Sequence, residues 1–187
     1  GAVPGGVCVV LASKTNAFGL ERARRRGIPA VAVPRKEHPD ARAFNDAIHA
    51  ALAPHEPDLV LLLGFLSPFE TRGRYDARAL NVHPALIPAF SGRRFYGHRV
   101  HEAVLAAGVR VTGATVHFVD AEYDQGPIVL QEAVAVHGDD TPETPAARVQ
   151  EVERRLVPEA VRLFAAGRLV VEGRRVKILN RPDCLRS

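Results

Sequence analysis

Short apolar runs alternate along the chain with stretches whose hydrophobic residues recur every three or four positions. Val7 to Ala12 (VCVVLA) is a continuous apolar run, the pattern of a buried strand. Ala17 to Arg26 reads as a helix, closed by Gly27 at a position suited to a left-handed cap. Pro29 to Val33 is strand-like. Phe44, Ala47, Ile48, Ala51 and Leu52 then form one face of an amphipathic helix. Leu59 to Leu63 is an apolar strand ending at Gly64, and Ala79 to Val82 is another. Val100 to Ala107 predicts a helix stopped by Gly108. Val111 to Val119 and Ile128 to Val136 predict two strands around the polar turn Asp120 to Pro127. Thr141 is placed to cap a long helix with Pro142 at its first position. Its apolar positions are Val149, Val152, Leu156, Ala160, Leu163 and Phe164, and Pro158 is expected to kink it. A hairpin from Leu169 to Leu179 ends the pattern.

Strand and helix in alternation predict an α/β fold: an open, mostly parallel twisted sheet with helices on both faces, as one domain over residues 1–187. In such sheets ligands bind beyond the carboxyl ends of the strands. Asn81 and His83 stand at such an end, in the stretch NVHPALIP. Residues two apart on a strand share a face, so both polar groups are expected in one crevice. Pro84 has no N–H and cannot extend the ladder. Taken singly, each residue has a plainer reading, an Asn making a turn and a His satisfied by backbone. The second polar cluster is VHFVDAEYDQGP, where Asp120, Glu122 and Asp124 crowd a turn. Acidic turns usually face solvent. A half-buried carboxylate beside a histidine does something else: it favours the imidazolium. His117, on the strand before the turn, either joins such a network or packs.

Composition changes this picture little. Of 187 residues 47% are hydrophobic, which excludes a disordered chain. No apolar run approaches the roughly 18 residues of a membrane span, and residues 1–6 do not read as a signal peptide. Cys8 and Cys184 have no metal-ligand spacing, so no metal site and no disulfide framework are expected, and the compartment is a reducing cytoplasm. The net charge of +4 comes from arginine. Its one dense run, Arg22 to Arg26, lacks interleaved aromatics and reads as a solvated helix face, so nucleic acid is not an expected partner. A homo-oligomer is compatible with the sequence.

NVHPALIP followed by GATVHFVDAEYDQGPIVLQ resembles the folate-dependent formyltransferases. AFGLERARRRGI and ARVQEVERRLVPEAVRLFAAGRL resemble their glycinamide ribonucleotide branch. The likeness runs over nearly the whole chain. It implies a Rossmann-like formyltransferase fold and transfer of a formyl group from 10-formyltetrahydrofolate to the amine of glycinamide ribonucleotide, in purine synthesis. By the family pattern His83 is the proton donor, Asp124 holds it charged, and Asn81 fixes the formyl oxygen. Arg42, Leu66, Ser67, Asn81 and the turn Asp120, Ala121, Glu122, Tyr123, Asp124 would contact the folate. Glu153 and His117 would contact the amine substrate. An Asp–His pair with an amide donor meets the chemistry without a metal.

The chain departs from that pattern in three places. The family's first strand and its glycine-rich phosphate loop have no counterpart, since Gly1 to Gly6 precedes a strand instead of following one. Phosphate affinity is therefore expected to be low. The loop Phe65 to Pro68 is shorter than in many relatives, and GRRFYG at Gly92 to Gly97 is longer and more basic, either a surface loop or a contact for phosphate or the folate's glutamate tail. Three further readings share the same residues: methionyl-tRNA formyltransferase, formyltetrahydrofolate deformylase, and an inactive protein that retains the folate pocket.

Overall fold

A computed structural model of the chain describes residues 3–180, so Cys184 lies outside the described residues. The elements run β1 (Val10–Ala12), α1 (Phe18–Arg24), β2 (Ala30–Ala32), α2 (Ala41–Leu52), β3 (Val60–Leu62), β4 (Ala79–His83), α3 (His98–Ala106), β5 (Val111–Phe118), β6 (Ile128–Ala135), α4 (Glu143–Ala165), β7 (Leu169–Glu172) and β8 (Arg175–Ile178). The architecture is α/β. The chain forms two compact units, one of residues 5–60 and 65–70, the other mainly of residues 61–64 and 71–180.

In the first unit β1 and β2 pair in parallel, with Val10 opposite Ala30. Helix α1 turns its buried Leu20 and Ala23 inward. Helix α2 starts where Asp40 accepts a hydrogen bond from the Ala43 N–H at 2.8 Å, which satisfies one of the helix's unpaired donors. Its buried face carries Phe44, Ile48 and Leu52, as the spacing predicts. The same face buries a polar residue. Asn45 donates to the carbonyls of Ala41 and Pro68 and accepts from the Glu70 N–H. Its amide therefore stitches the segment 65–70 to α2, leaving no unmet polar atom to oppose its burial.

The second unit holds a six-stranded sheet in the order β3-β4-β5-β6-β8-β7. Pairings β4–β5, β5–β6 and β7–β8 are antiparallel, and β6–β8 is parallel. The sheet is mixed because short turns join its later strands, and a short turn permits only an antiparallel neighbour. Strand β5 is buried from Thr112 to Phe118. Helix α4 lays Val149, Val152, Leu156, Ala160 and Leu163 against β5 and β6. It is helical on both sides of Pro158.

One local expectation fails. Thr141 does not cap α4. Pro142 holds the cap position with no side-chain hydrogen bond, and Asp140 orders this turn instead. Its carboxylate accepts from the His137 N–H at 2.7 Å and the Thr144 hydroxyl at 2.7 Å, and it pairs with Arg148. A carboxylate with a guanidinium in reach is the stronger organiser of a helix start. Phe164, the last of the helix's apolar positions, is half-buried.

Candidate active site

Strand β4 places Asn81 opposite His117 of β5, and His83 opposite Thr115. The turn between β5 and β6 then brings Asp124 back over this pair. His83 Nδ1 lies 3.5 Å from Asp124 Oδ2, and His117 Nε2 lies 3.6 Å from Asp124 Oδ1. Those separations are too long for hydrogen bonds, and each is an ion pair when its ring is protonated. Asn81 Nδ2 donates to Asp124 Oδ1 at 3.3 Å and lies 3.1 Å from His117 Nε2. Four polar side chains, 43 residues apart at the extremes, thus share one cluster. His83 and His117 are only 4% and 2% exposed.

The turn that delivers Asp124 depends on two backbone features. Gly126 packs directly on the preceding strand: a Cβ there would stand 1.8 Å from the Phe118 carbonyl oxygen. Only glycine allows that approach. Asp124 itself holds a left-handed conformation, φ +55°. Aspartate tolerates that region better than most residues because its short side chain bonds locally. The Asp120 carboxylate helps by accepting from the Glu122 N–H at 3.0 Å.

Behind His83 the chain is braced from β5 and β6. The Thr115 hydroxyl donates to the Ala85 carbonyl at 2.7 Å and accepts from the Ile87 N–H at 3.2 Å. Gln131 Nε2 donates to the Ile87 carbonyl at 3.0 Å and to Thr115 Oγ1 at 2.9 Å. In front, the segment after Pro88 reaches over both His83 and Asp124. The Phe90 carbonyl accepts from His83 Nε2 at 2.7 Å, and the Gly92 N–H donates to Asp124 Oδ2 at 2.9 Å. Phe90 adopts φ +50°, an uncommon state for a bulky residue, and its ring packs edge-on against Phe95.

Burial and pairing oppose each other in the titrations here. Burial pushes the His83 imidazolium below its ordinary value, and the pull of Asp124 and of the Phe90 carbonyl does not fully restore it. Desolvation and the Asp124 carboxylate at 3.5 Å thus pull the His83 ring in opposite directions. Burial alone would raise the Asp124 carboxyl. Its contacts with His117 and His83 and the Gly92 N–H outweigh that and carry it below the usual range. Asp124 is thus an anion between two rings. His101 on α3 is also pushed down by burial, and its Nδ1 has no hydrogen-bond partner among the described residues.

The remaining sequence candidates are spread more widely. Ala121 and Glu122 are exposed on the turn, and Tyr123 is half-buried, with the Arg93 guanidinium 5.4 Å from its ring centre. Arg93 thereby ties the basic loop to the acidic turn. Glu153, half-buried on α4, has its carboxyl pushed up by burial. Arg42, Leu66 and Ser67 belong to the other compact unit: Arg42 is exposed on α2, Leu66 is 60% exposed, and Ser67 is half-buried in the segment held by Asn45. Among the described residues no group of three or more His, Cys, Asp or Glu is placed to hold a metal ion, and no helix is long and apolar enough to cross a membrane. Sequence reasoning missed Thr115, Gln131 and the backbone of Phe90 and Gly92. The signal for Thr115 and Gln131 was weak but present, as both are polar residues inside otherwise apolar strands.

Comparison with known proteins agrees with this arrangement. Residues 1–161 match the formyl transferase family. The chain is 45% identical over 156 residues to the phosphoribosylglycinamide formyltransferase of Mycobacterium tuberculosis, covering 82% of this chain and 70% of that protein. It is 42% identical over 164 residues to the chloroplastic phosphoribosylglycinamide formyltransferase of Arabidopsis thaliana, covering 86% and 56%. The chain thus spans about half the length of the plant relative. The crystal structure of glycinamide ribonucleotide transformylase 1 from Symbiobacterium toebii superposes with a TM-score of 0.88 at 44% identity, covering 95% of this chain and 82% of that one. On the matched family, and on relatives of this identity, the chain belongs to the formyl transferase family.

Proposed function

We propose that this chain transfers a formyl group from 10-formyltetrahydrofolate to the primary amine of glycinamide ribonucleotide, a step of de novo purine synthesis. The observation that supports the reading most directly is the convergence of Asn81, His83 and Asp124, the three residues the family pattern names, at one strand end. The names of the relatives favour this amine over methionyl-tRNA or water. The substrates are small molecules, no nucleic acid is involved, the chain works as one formyltransferase domain, and the reaction belongs in the cytoplasm.

The chemistry is a transfer without redox change. The amine attacks the formyl carbon and a C–N bond forms, with negative charge gathering on the formyl oxygen. Collapse of that intermediate breaks the bond to folate N10. The amine loses one proton and N10 gains one. His83 stabilises the charged oxygen and supplies the proton, exchanging the Phe90 carbonyl for substrate at Nε2. Asp124, an anion before substrate enters, stabilises the imidazolium as it forms. The attacking amine becomes acidic on attack, and the proton it releases replaces the one His83 gives to N10. Arg42, Leu66, Ser67 and residues 120–124 are assigned to folate, and Glu153 to the amine substrate, by the family pattern.

The test is a three-way assay: 10-formyl-folate mixed with glycinamide ribonucleotide, with methionyl-tRNA, or with water alone, following the deformylated folate. Turnover only with glycinamide ribonucleotide is expected. Turnover with methionyl-tRNA or water, or folate binding with no turnover in any mixture, would overturn the reading.

A further inference from the structure

Beyond β4 the chain runs through Pro84-Ala85-Leu86-Ile87-Pro88, a stretch that is buried yet belongs to no strand. Ala85 is 0% exposed and Ile87 6%. Backbone groups placed there have lost water and have no ladder to join, so they need partners from elsewhere. Two side chains supply them. The Thr115 hydroxyl donates to the Ala85 carbonyl and accepts from the Ile87 N–H, and Gln131 Nε2 donates to the Ile87 carbonyl and to Thr115 Oγ1. The proton and both lone pairs of the hydroxyl are used, and so are both protons of the amide. Turning the Gln131 amide over would set its oxygen against the Ile87 carbonyl, so only one orientation works. Strand register puts the groups in one row, with His83 opposite Thr115 and Thr115 opposite Gln131. Gly113, on the same face of β5, leaves room for the stretch to lie down: a Cβ there would stand 2.6 Å from Leu86 Cδ2.

We propose that Gln131 is a positioning residue: with Thr115 it pins the Ala85–Ile87 stretch to the sheet, and so sets where the Phe90 carbonyl and the Gly92 N–H stand against His83 and Asp124. This rests on the formyl-transfer reading above and deepens it. The bonds of Gln131 go to Ile87 and Thr115, so its effect on His83 runs through the backbone. Further bonds carry the tie onward. The Ala89 N–H donates to the Leu86 carbonyl at 2.9 Å, and the Ser91 hydroxyl donates to the Pro88 carbonyl at 2.9 Å. Phe90 and Gly92 follow directly, on His83 Nε2 and Asp124 Oδ2. A displacement at Ile87 is therefore passed to both groups. Catalysis is sensitive to errors of this kind, since a misplacement of about 1 Å can cost roughly 100-fold in rate.

The test has two arms. In the first, histidine-labelled full chain is titrated by nitrogen-15 NMR, with the His83 signal identified by its loss in His83→Ala. Gln131→Met keeps the length of the side chain and removes both donors, at an exposed strand position where the fold should survive the change. The Phe90 carbonyl favours the His83 imidazolium, so loosening it should move the His83 midpoint to lower pH. An unmoved or raised midpoint overturns the proposal; a brace that serves stability alone would lower the melting temperature and leave the midpoint in place. Thr115→Val and Thr115→Ser repeat the comparison from the other end of the network. The midpoint should fall in the Val variant and stay near the parent in the Ser variant, which keeps the hydroxyl, and equal midpoints in the two overturn the proposal. This arm needs no turnover, so it is decided even if the formyl-transfer reading fails. The second arm is the rate. In Gln131→Met kcat should fall roughly 10-fold, with KM for formyl-folate changed less than about twofold. A kcat equal to the parent's would show that the placement of this stretch is irrelevant to the reaction.

Discussion

At the scale of single residues, Asp124 carries two demands at once: a negative charge between two buried rings and a left-handed backbone. These separate experimentally. Asp124→Asn keeps the shape and the tolerance for positive φ but loses the charge. Its activity should fall roughly 100-fold or more, while its thermal stability stays close to the parent. Asp124→Ala loses both, and should unfold more easily than the Asn variant by about 1 kcal/mol. Thermal melts and initial rates on the two proteins decide the matter; identical melts would mean that the backbone is unstrained. His83→Ala should likewise lose most activity with the fold intact, read by circular dichroism alongside the rate. Near-normal turnover would remove His83 from the mechanism. Asn81, His83 and Asp124 were legible from motif and strand geometry. Their hydrogen-bond directions were not, because the direction of an amide depends on the acceptors around it, and those come from a strand and a turn distant in sequence.

At the scale of elements, two substitutions test the reading of local structure. Gly126→Ala forces a Cβ into the Phe118 carbonyl, so the β5–β6 turn must open and carry Asp124 away. A stability loss of roughly 1–3 kcal/mol is expected from the overpacking, with activity falling further than stability alone explains. Full activity in this variant would show that the close approach is dispensable. Asp40→Ala removes the α2 cap and should cost about 1 kcal/mol by denaturant titration. Strands and helices were placed by hydrophobic period to within a few residues. The start of α4 was misjudged because a capping residue competes with its neighbours, and Asp140, with an arginine two turns along, outcompeted Thr141. Asn45 was passed over for a related reason. On a helix wheel it is a polar residue beside Phe44, and only the returning segment 65–70 makes its burial favourable.

For the molecule as a whole, buried histidines and a buried carboxylate give stability a direction with pH. His83 and His101 have folded-state pKa values below the ordinary 6.5, so the unfolded chain takes up their protons first. Their contribution is complete above about pH 6.5 and is lost as pH falls through the lowered values. Asp124 is also depressed, so its contribution is present above 3.8 and lost in stronger acid. Stability should therefore be level on the alkaline side of pH 6.5 and fall on acidification in two stages. Urea midpoints measured from pH 8 to pH 4 test the first stage and their continuation into stronger acid the second, and a midpoint unchanged between pH 7 and pH 5 would refute the first. His101→Leu, which removes a buried ring with an unmet nitrogen, should flatten the first stage.

The sequence by itself determined which segments are strands and helices, the α/β class, and the residues that family pattern and spacing assign to chemistry. These are legible because hydrophobic period and proline position act locally, within a few residues of where they are read. The tertiary structure decided the rest. It set the opposition at His83 between desolvation, which lowers its pKa, and Asp124, which raises it, since desolvation is a property of everything packed around a ring. It hung the Phe90 carbonyl on that ring and the Gly92 N–H on Asp124. It also brought the Asn81 amide against His117 and Asp124, which arrive from β5 and from the turn beyond it, 36 and 43 residues away along the chain.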